Sequence, residues 1–320
     1  MAAYRGAGKE MKKIIMLTTG GTIASQEGAD GLVPMVKGDA MIQMIPKLAD
    51  FCEIEVREVM NLDSTNMQPE EWVQLAVAVA EVLPECDGIV ITHGTDTMAY
   101  TASALTWMLQ NLRKPVILTG SQRPVEHPQT DGKQNIYDAF CAAAAGRPGV
   151  YIVFHGRILR GCSARKVCTE SLDAFRSINE PDVGMVCDGQ VTFDTESKFN
   201  QAAEFHLDTS LDTRVVYLQL YPGFEPEILE TVIEKGYRGM ILAGFGSGGV
   251  PFHHRNLLPA IEKAIQSGIC VIITTQCQQE GTNLNLYEVG IRAAKLGCIS
   301  GEKYTPEALI TRLMWELGHK

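Results

Sequence analysis

The sequence predicts an α/β protein with two unequal domains, each a parallel sheet flanked by helices. Three observations lead to this fold class. Short apolar runs alternate with helix-length Ala-rich or amphipathic segments along most of the chain. The runs end in small polar residues, the chemistry of strand-to-helix turns in parallel sheets. The rhythm lapses once, between residues 170 and 212, and then resumes. That lapse divides the chain into an N-terminal α/β domain (1–195), a linker (196–212) and a smaller C-terminal α/β domain (213–320).

Taken in order, Lys12–Gly21 reads as a buried strand closed by a glycine turn, and Gln26–Gly38 as a polar, Gly-containing surface loop. Glu53–Met60 alternates imperfectly through Ile54, Val56 and Val59, a strand pattern. A helix opens over Thr65–Glu71, with Pro69 in its first turn and Glu70 and Glu71 at its positive end, and runs to Pro84. Asp87–Thr97 is a strand with a polar turn, Met98–Leu112 a helix, Lys114–Pro124 a second strand with a polar turn, and Asp131–Gly146 a helix closed by glycine. Gly149–Arg157 is a further strand. Beyond the lapse, strands are expected in Arg214–Gly223, Tyr237–Gly249 and Gly268–Gln278, with helices in Glu225–Gly236, His253–Gly268 and Thr305–Gly318. No fixed-period repeat or low-complexity tract interrupts them.

Composition excludes several classes. The chain has 320 residues, 45% hydrophobic and 21% charged, which is globular and long enough to bury a large core. Its 28 Lys and Arg against 38 Asp and Glu give a net charge of −10. A general nucleic-acid or anionic-membrane binder needs a basic face, so neither partner is expected. The nine cysteines are odd in number, dispersed and without a C-x-x-C pair, as expected of reduced thiols in a cytoplasmic protein. No apolar run reaches the ~20 residues of a membrane span, and Ile14–Leu17 is too short to be the core of a signal peptide.

Ligands of open α/β sheets bind at the carboxyl ends of the strands. Three such ends are rich in hydroxyls: Thr18-Thr19-Gly20-Gly21-Thr22, Thr92-His93-Gly94-Thr95-Asp96-Thr97 and Thr119-Gly120-Ser121-Gln122. Each alone is an ordinary turn or cap; three together point to a site. A hydroxyl nucleophile needs an activating base. No G-x-S-x-G elbow is present, and His93, ahead of its glycine, reads as a capping or packing residue. Lys166 is the alternative base, against the plain reading of a solvated lysine.

With those segments in view, the chain resembles the bacterial-type L-asparaginases. Thr19-Gly20-Gly21-Thr22-Ile23-Ala24 and His93-Gly94-Thr95-Asp96-Thr97-Met98 are similar to the two signatures of that family, in order and separation. The likeness extends through Asp63-Ser64-Thr65-Asn66-Met67, Thr119 to Pro124, Ala164-Arg165-Lys166, and Tyr217 with Pro222-Gly223, over nearly the whole chain. The Asp63–Met67 segment resembles the cytoplasmic type I branch. The resemblance implies hydrolysis of L-asparagine to L-aspartate and ammonia, without a cofactor or metal, by a homodimer or homotetramer. It implies Thr22 as the nucleophile, and Thr95, Asp96 and Lys166 as the second catalytic cluster. Asp96 would hold the substrate amino group and Ser64 its α-carboxylate, with Gly21, Asp63, Thr65, Gly94 and Thr95 completing the pocket. At the lid-loop position where the family carries tyrosine stands Leu32; Tyr287 is the candidate replacement, with a packed helix residue as its other reading. Cys277 lies where some type I members bind asparagine a second time, but Ala243 stands in place of an arginine there, which argues against such control.

Other readings are weaker. Gly244-Phe245-Gly246-Ser247-Gly248-Gly249 contains G-x-G-x-x-G but lacks the acidic residue at the next strand end. Ser163–Lys166 is an isolated S-x-x-K, and His253-His254 lacks further ligands at metal spacing. Two rivals remain: the asparaginase-like, ammonia-supplying component of a tRNA-dependent amidotransferase, disfavoured by the short stretch before Thr19, and a non-catalytic asparagine sensor.

Overall fold

A computed structural model describes residues 11–21, 23, 25–28, 31–34, 37–194 and 203–320, with backbone alone for 25–28 and 31–34. The chain begins with β1 (Lys12–Gly20), the pair β2 (Ser25–Gly28) and β3 (Gly31–Pro34), α1 (Gly38–Gln43), β4 (Cys52–Leu62), α2 (Pro69–Val82), β5 (Gly88–Thr92) and α3 (Met98–Met108). It continues through β6 (Leu109–Gln110), β7 (Pro115–Thr119), α4 (Gly132–Ala144), β8 (Gly149–Phe154), β9 (Arg157–Arg160), β10 (Ala164–Lys166), β11 (Phe175–Ser177), β12 (Gly184–Cys187), β13 (Gln190–Phe193) and β14 (His206–Leu207). The remainder is β15 (Val215–Gln219), α5 (Glu227–Glu234), β16 (Gly239–Gly244), α6 (Leu258–Gln266), β17 (Cys270–Thr275), α7 (Glu288–Lys295), β18 (Ile299–Ser300) and α8 (Pro306–Leu317).

The large sheet has the order β13-β12-β9-β8-β7-β5-β1-β4. Strands β8, β7, β5, β1 and β4 are mutually parallel, whereas β9, β12 and β13 extend one edge in antiparallel fashion. The smaller sheet, β15-β16-β17-β18, is parallel throughout. The expected α/β class with parallel sheets is therefore the architecture observed.

Alternation along each strand builds two cores on the large sheet. Ile15, Leu17, Ile89 and Ile91 face α2 and α3; Ile14, Met16, Val90 and Ile117 face α4 and the Met41 side of α1. All eight are essentially fully buried, so these strands read as continuous apolar runs rather than alternating ones. In the smaller sheet Met240, Leu242, Val271 and Ile273 pack beneath α5 and α6, and Ile241 and Ile272 beneath α8. Helix α8 also closes against α3 of the large domain: Trp107 Nε1 donates to Thr311 Oγ1 over 3.1 Å, and Arg165 pairs with Glu307 over 3.5 Å.

Several sequence expectations are corrected. The Gln26–Gly38 loop overlaps the antiparallel pair β2/β3, whose four-residue strands are too short to show a period. The helix from Met98 ends at Met108, because Leu109 and Gln110 pair with Leu207 and His206. The lapse after residue 170 contains β11 to β14, strands of two to four residues and too short to show a pattern. Helix α7 and strand β18 are additions to the elements expected from the sequence. His253 and His254 precede α6 rather than start it.

Candidate active site

In the large sheet β1 continues to β4 on one side, whereas β5 continues to β7 on the other. The carboxyl ends of β1 and β5 therefore form the topological switch point, where open α/β sheets bind ligands. Three turns converge there. Gly21, at φ +82°, lies so close to Gly94 that a Cβ on it would collide with the Gly94 Cα. A Cβ on Gly94 would in turn meet Ser64 Oγ at 2.5 Å. Only glycine permits this approach and the left-handed backbone of Gly21. Gly21 N donates to Leu62 O over 3.0 Å, and Thr19 Oγ1 to Thr92 O over 2.9 Å.

Ser64 is buried, opening a short 3₁₀ turn over Ser64–Asn66. Asp63 caps that turn: its carboxylate accepts from the Thr65 hydroxyl and from the Thr65 N–H, the latter over 2.8 Å, and together they hold the Asp63 carboxyl below its usual range. Thr97 Oγ1 donates to Ser64 O over 2.7 Å, tying the turn after β4 to the turn after β5.

The second cluster assembles from distant parts of the chain. Lys166, at the end of β10, donates to Thr95 Oγ1 over 2.8 Å and to Asp96 Oδ1 over 2.7 Å. Its side chain is 18% exposed and that of Asp96 56%, so the ion pair stands at the mouth rather than in the core. Thr95 is buried, and its hydroxyl donates to Gln122 Oε1 over 3.2 Å. Gln122 Nε2 donates to Thr169 O and Ser171 O, in the loop between β10 and β11, over 2.9 and 3.1 Å. The Gln122 turn is fixed from below: the Asp131 carboxylate accepts from the N–H groups of Gln122 and Arg123 over 3.0 and 3.1 Å, and Asn135 Nδ2 donates to Asp131 over 3.1 Å.

His93 lies behind these groups and is fully buried. Its Nδ1–H donates to Gly94 O over 2.7 Å, so Nε2 accepts from the Thr101 hydroxyl over 2.9 Å. Burial pushes its pKa down to about 4, which keeps the ring neutral. Its expected packing role is what the geometry shows; it is a brace for the Gly94–Thr95 peptide.

Residues 13–199 match the family model described as "Asparaginase, N-terminal", and residues 214–320 match "Glutaminase/Asparaginase C-terminal domain". The chain belongs to the asparaginase family. It is 41% identical to an L-asparaginase of Thermococcus kodakarensis, over 96% of this chain and 93% of that one. The solved structure of the thermostable L-asparaginase from that organism matches with a TM-score of 0.90. L-asparaginase I from Vibrio cholerae matches at 32% identity and a TM-score of 0.85, over 97% of this chain and 94% of that one. The chain is also 35% identical to a Glutamyl-tRNA(Gln) amidotransferase component of Pyrococcus furiosus, over 97% of its own length and 73% of that protein's. The family and its type I branch are thus as the two signatures and the Asp63–Met67 segment led one to expect.

Of the residues singled out on family resemblance, the structure brings together Gly21, Ser64, Gly94 and, beside them, Thr95, Asp96 and Lys166. Thr22 lies outside the described residues, as does the Leu32 side chain. Flanking Thr22, Gly21 is tied to Leu62, and Ile23 O accepts from Val125 N over 3.2 Å. Tyr287 is not a packed helix residue: it is the N-cap of α7 in the C-terminal domain, 59% exposed, and it makes no hydrogen bond to the Thr95 cluster. The sequence places Gln122 and His93 in two of the hydroxyl-rich strand-end segments but gives Gln122 no role of its own and His93 only capping or packing. Each lies just past a strand end at or beside the switch point, the position that marked those segments in the sequence. No helix of the described residues is long and apolar enough to cross a membrane.

Proposed function

We propose that this chain hydrolyses the side-chain amide of L-asparagine, giving L-aspartate and ammonia. The observation that carries the reading is the Lys166–Thr95–Asp96 cluster at the switch point of a chain that is 41% identical, over 96% of its length, to an L-asparaginase. Thr22 is the proposed nucleophile. Its hydroxyl oxygen bonds to the amide carbon, the C–N bond breaks, and the departing nitrogen takes a proton and leaves as ammonia. Water then adds to the acyl-threonine, releasing aspartate and restoring the hydroxyl.

The substrate is a small zwitterion, and the proposed assignment matches charge to charge. Asp96 has one oxygen on Lys166, and its half-exposed carboxylate has a second oxygen suited to an ammonium group. Ser64 Oγ, pressed against Gly94, is assigned to the α-carboxylate, with Gly21, Asp63, Thr65 and Gly94 shaping the floor. Lys166 and Thr95 supply acid-base assistance, and Tyr287 is assigned the part of the lid-loop tyrosine. Such a protein works as a homo-oligomer in the reducing cytoplasm, in keeping with its nine free thiols.

A second reading draws on the 35% identity to the amidotransferase component, which would make ammonia release dependent on a partner. Ammonia production by the isolated chain from L-asparagine, with L-glutamine and D-asparagine alongside and Thr22→Ala as control, decides between them. Rapid release from L-asparagine that vanishes in Thr22→Ala is the expected result. Release only on adding an amidotransferase partner and its tRNA would favour the second reading. Undiminished release by Thr22→Ala would remove Thr22 from its role.

A further inference from the structure

We infer that Gln122 is a positioning residue that sets the direction of the Thr95 hydroxyl; the inference rests on the reading that Thr95 and Lys166 serve amide hydrolysis. Thr169 O and Ser171 O are backbone carbonyls and can only accept, so the two hydrogens of Gln122 Nε2 are committed to them. The amide cannot be turned over without setting two carbonyls against its oxygen. Oε1 is thereby aimed at Thr95 Oγ1, 3.2 Å away, and it too can only accept.

A threonine hydroxyl has one hydrogen and two lone pairs. Here the hydrogen is claimed by Gln122, and one lone pair takes Lys166 Nζ–H over 2.8 Å. One lone pair remains. An attacking hydroxyl or water entering the site therefore meets an acceptor at Thr95, donates its hydrogen there, and keeps its own lone pair for the substrate carbon. Without Gln122 the Thr95 hydroxyl rotates freely and competes as a donor for the same oxygen.

Both mounts of the amide are stiff. Asp131 holds the Gln122 and Arg123 N–H groups at one end. At the other, the loop bearing Ser171 is fixed through Asp173: its N–H donates to Ser171 Oγ over 3.2 Å, and its carboxylate takes Arg157 over 3.2 Å and Arg176 over 2.6 Å. Immobilising a glutamine side chain costs rotamer entropy. A chance surface contact does not recruit three hydrogen bonds on two anchored loops to meet that cost.

Two variants separate orientation from packing. Gln122→Met keeps the length and removes both donor and acceptor. Gln122→Glu always accepts, but donates to a carbonyl only when protonated. With L-asparagine as probe, Gln122→Met is expected to lower kcat about tenfold with KM within about twofold, since the bound substrate is unaffected while the attacking group is misaligned. Gln122→Glu is expected to be weak at neutral pH and to recover relative to the parent as pH falls through the carboxyl's titration, while Gln122→Met shows no recovery. Melting temperatures of all variants are read in parallel. A Gln122→Met enzyme with kcat within about twofold of the parent overturns the inference, as does a Gln122→Glu enzyme without acid recovery, the effect size being that of one oriented group. Lys166→Met in the same assay tells the two readings apart. An inactive Lys166→Met beside a fully active Gln122→Met sinks the Gln122 role alone; a fully active Lys166→Met removes the catalytic cluster and the role of Gln122 with it.

Discussion

The two sheets are built alike, yet their carboxyl ends are finished differently. At the large sheet, the ends of β1, β4 and β5 gather hydroxyl and carboxylate groups, β10 brings the Lys166 ammonium to them, and the bracing groups His93 and Asp131 lie behind. At the small sheet the chief polar side chain is spent internally. Gln276 Nε2 donates to Leu220 O and Ala243 O over 2.7 and 2.9 Å, sewing the ends of β15, β16 and β17 together. Around it Tyr221, Phe245 and Leu286 are 37–56% exposed, interspersed with exposed polar residues such as Gln278 and Glu280. At the large sheet the polar side chains gather on one another around Thr95; at the small sheet Gln276 is taken up by the carbonyls of the strands themselves. Polarity alone does not mark a site; what matters is whether polar groups are turned outward or consumed by the fold.

The sharpest way to break this contrast is Lys166→Met. If the large sheet's end is the chemical one, kcat should fall by about 10²–10⁴, the range of a lost acid-base group, with an unchanged melting temperature. Retained turnover in an ammonia assay would move the chemistry elsewhere.

Next in size is the acid response of His93. Its folded pKa of about 4 lies below its value in the unfolded chain, so the native state refuses a proton that the unfolded state takes. The stability is whole above pH about 6.5 and is lost as pH falls towards 4, by about 3 kcal/mol for this fully buried group. Asp138 works in the opposite sense, since burial raises its carboxyl to about 6. Urea unfolding of the parent and of His93→Asn at pH 7 and at about pH 4.5, between the two histidine values, isolates the histidine. The parent should lose more stability on acidification than the variant. Equal losses would show that His93 protonates freely.

The smallest expected effect tests the sewing at the small sheet. Gln276→Ala should lower stability by about 1–2 kcal/mol through two lost hydrogen bonds, while kcat stays within about twofold of the parent. A large loss of turnover without a stability change would place Gln276 in the chemistry after all.

How much of this is legible in the sequence follows from the range of the forces involved. The parallel strands are readable because Ile14–Leu17, Ile89–Ile91 and Val116–Leu118 are buried on both faces and form unbroken apolar runs. Strands β10 to β14 are not, since two to four residues carry no period. The Lys166–Thr95 contact spans 71 positions and no local pattern encodes it; family resemblance points to it, and geometry supplies its partners. Gln122 is visible as a residue type at a strand end, but its orientation depends on two carbonyls 47 and 49 positions away, which leave no trace in side-chain identity. The missing lid tyrosine illustrates the same limit: Tyr287 stands out by its sequence neighbourhood, and the fold sets it on an exposed cap.

Strand β10 sets the candidate site beside a contact between the two domains. Successive residues of a strand point to opposite sides. Lys166 is turned to the chemical cluster, and its neighbour Arg165 is turned to Glu307 at the start of α8. One short strand thus straddles the boundary between the two domains. The strand is also held from within the large domain, by its pairing with β11 and by the buried Ala164. A residue of the candidate site and an ion pair to the smaller domain therefore occupy adjacent positions of one three-residue strand, so a substitution at either position bears on both.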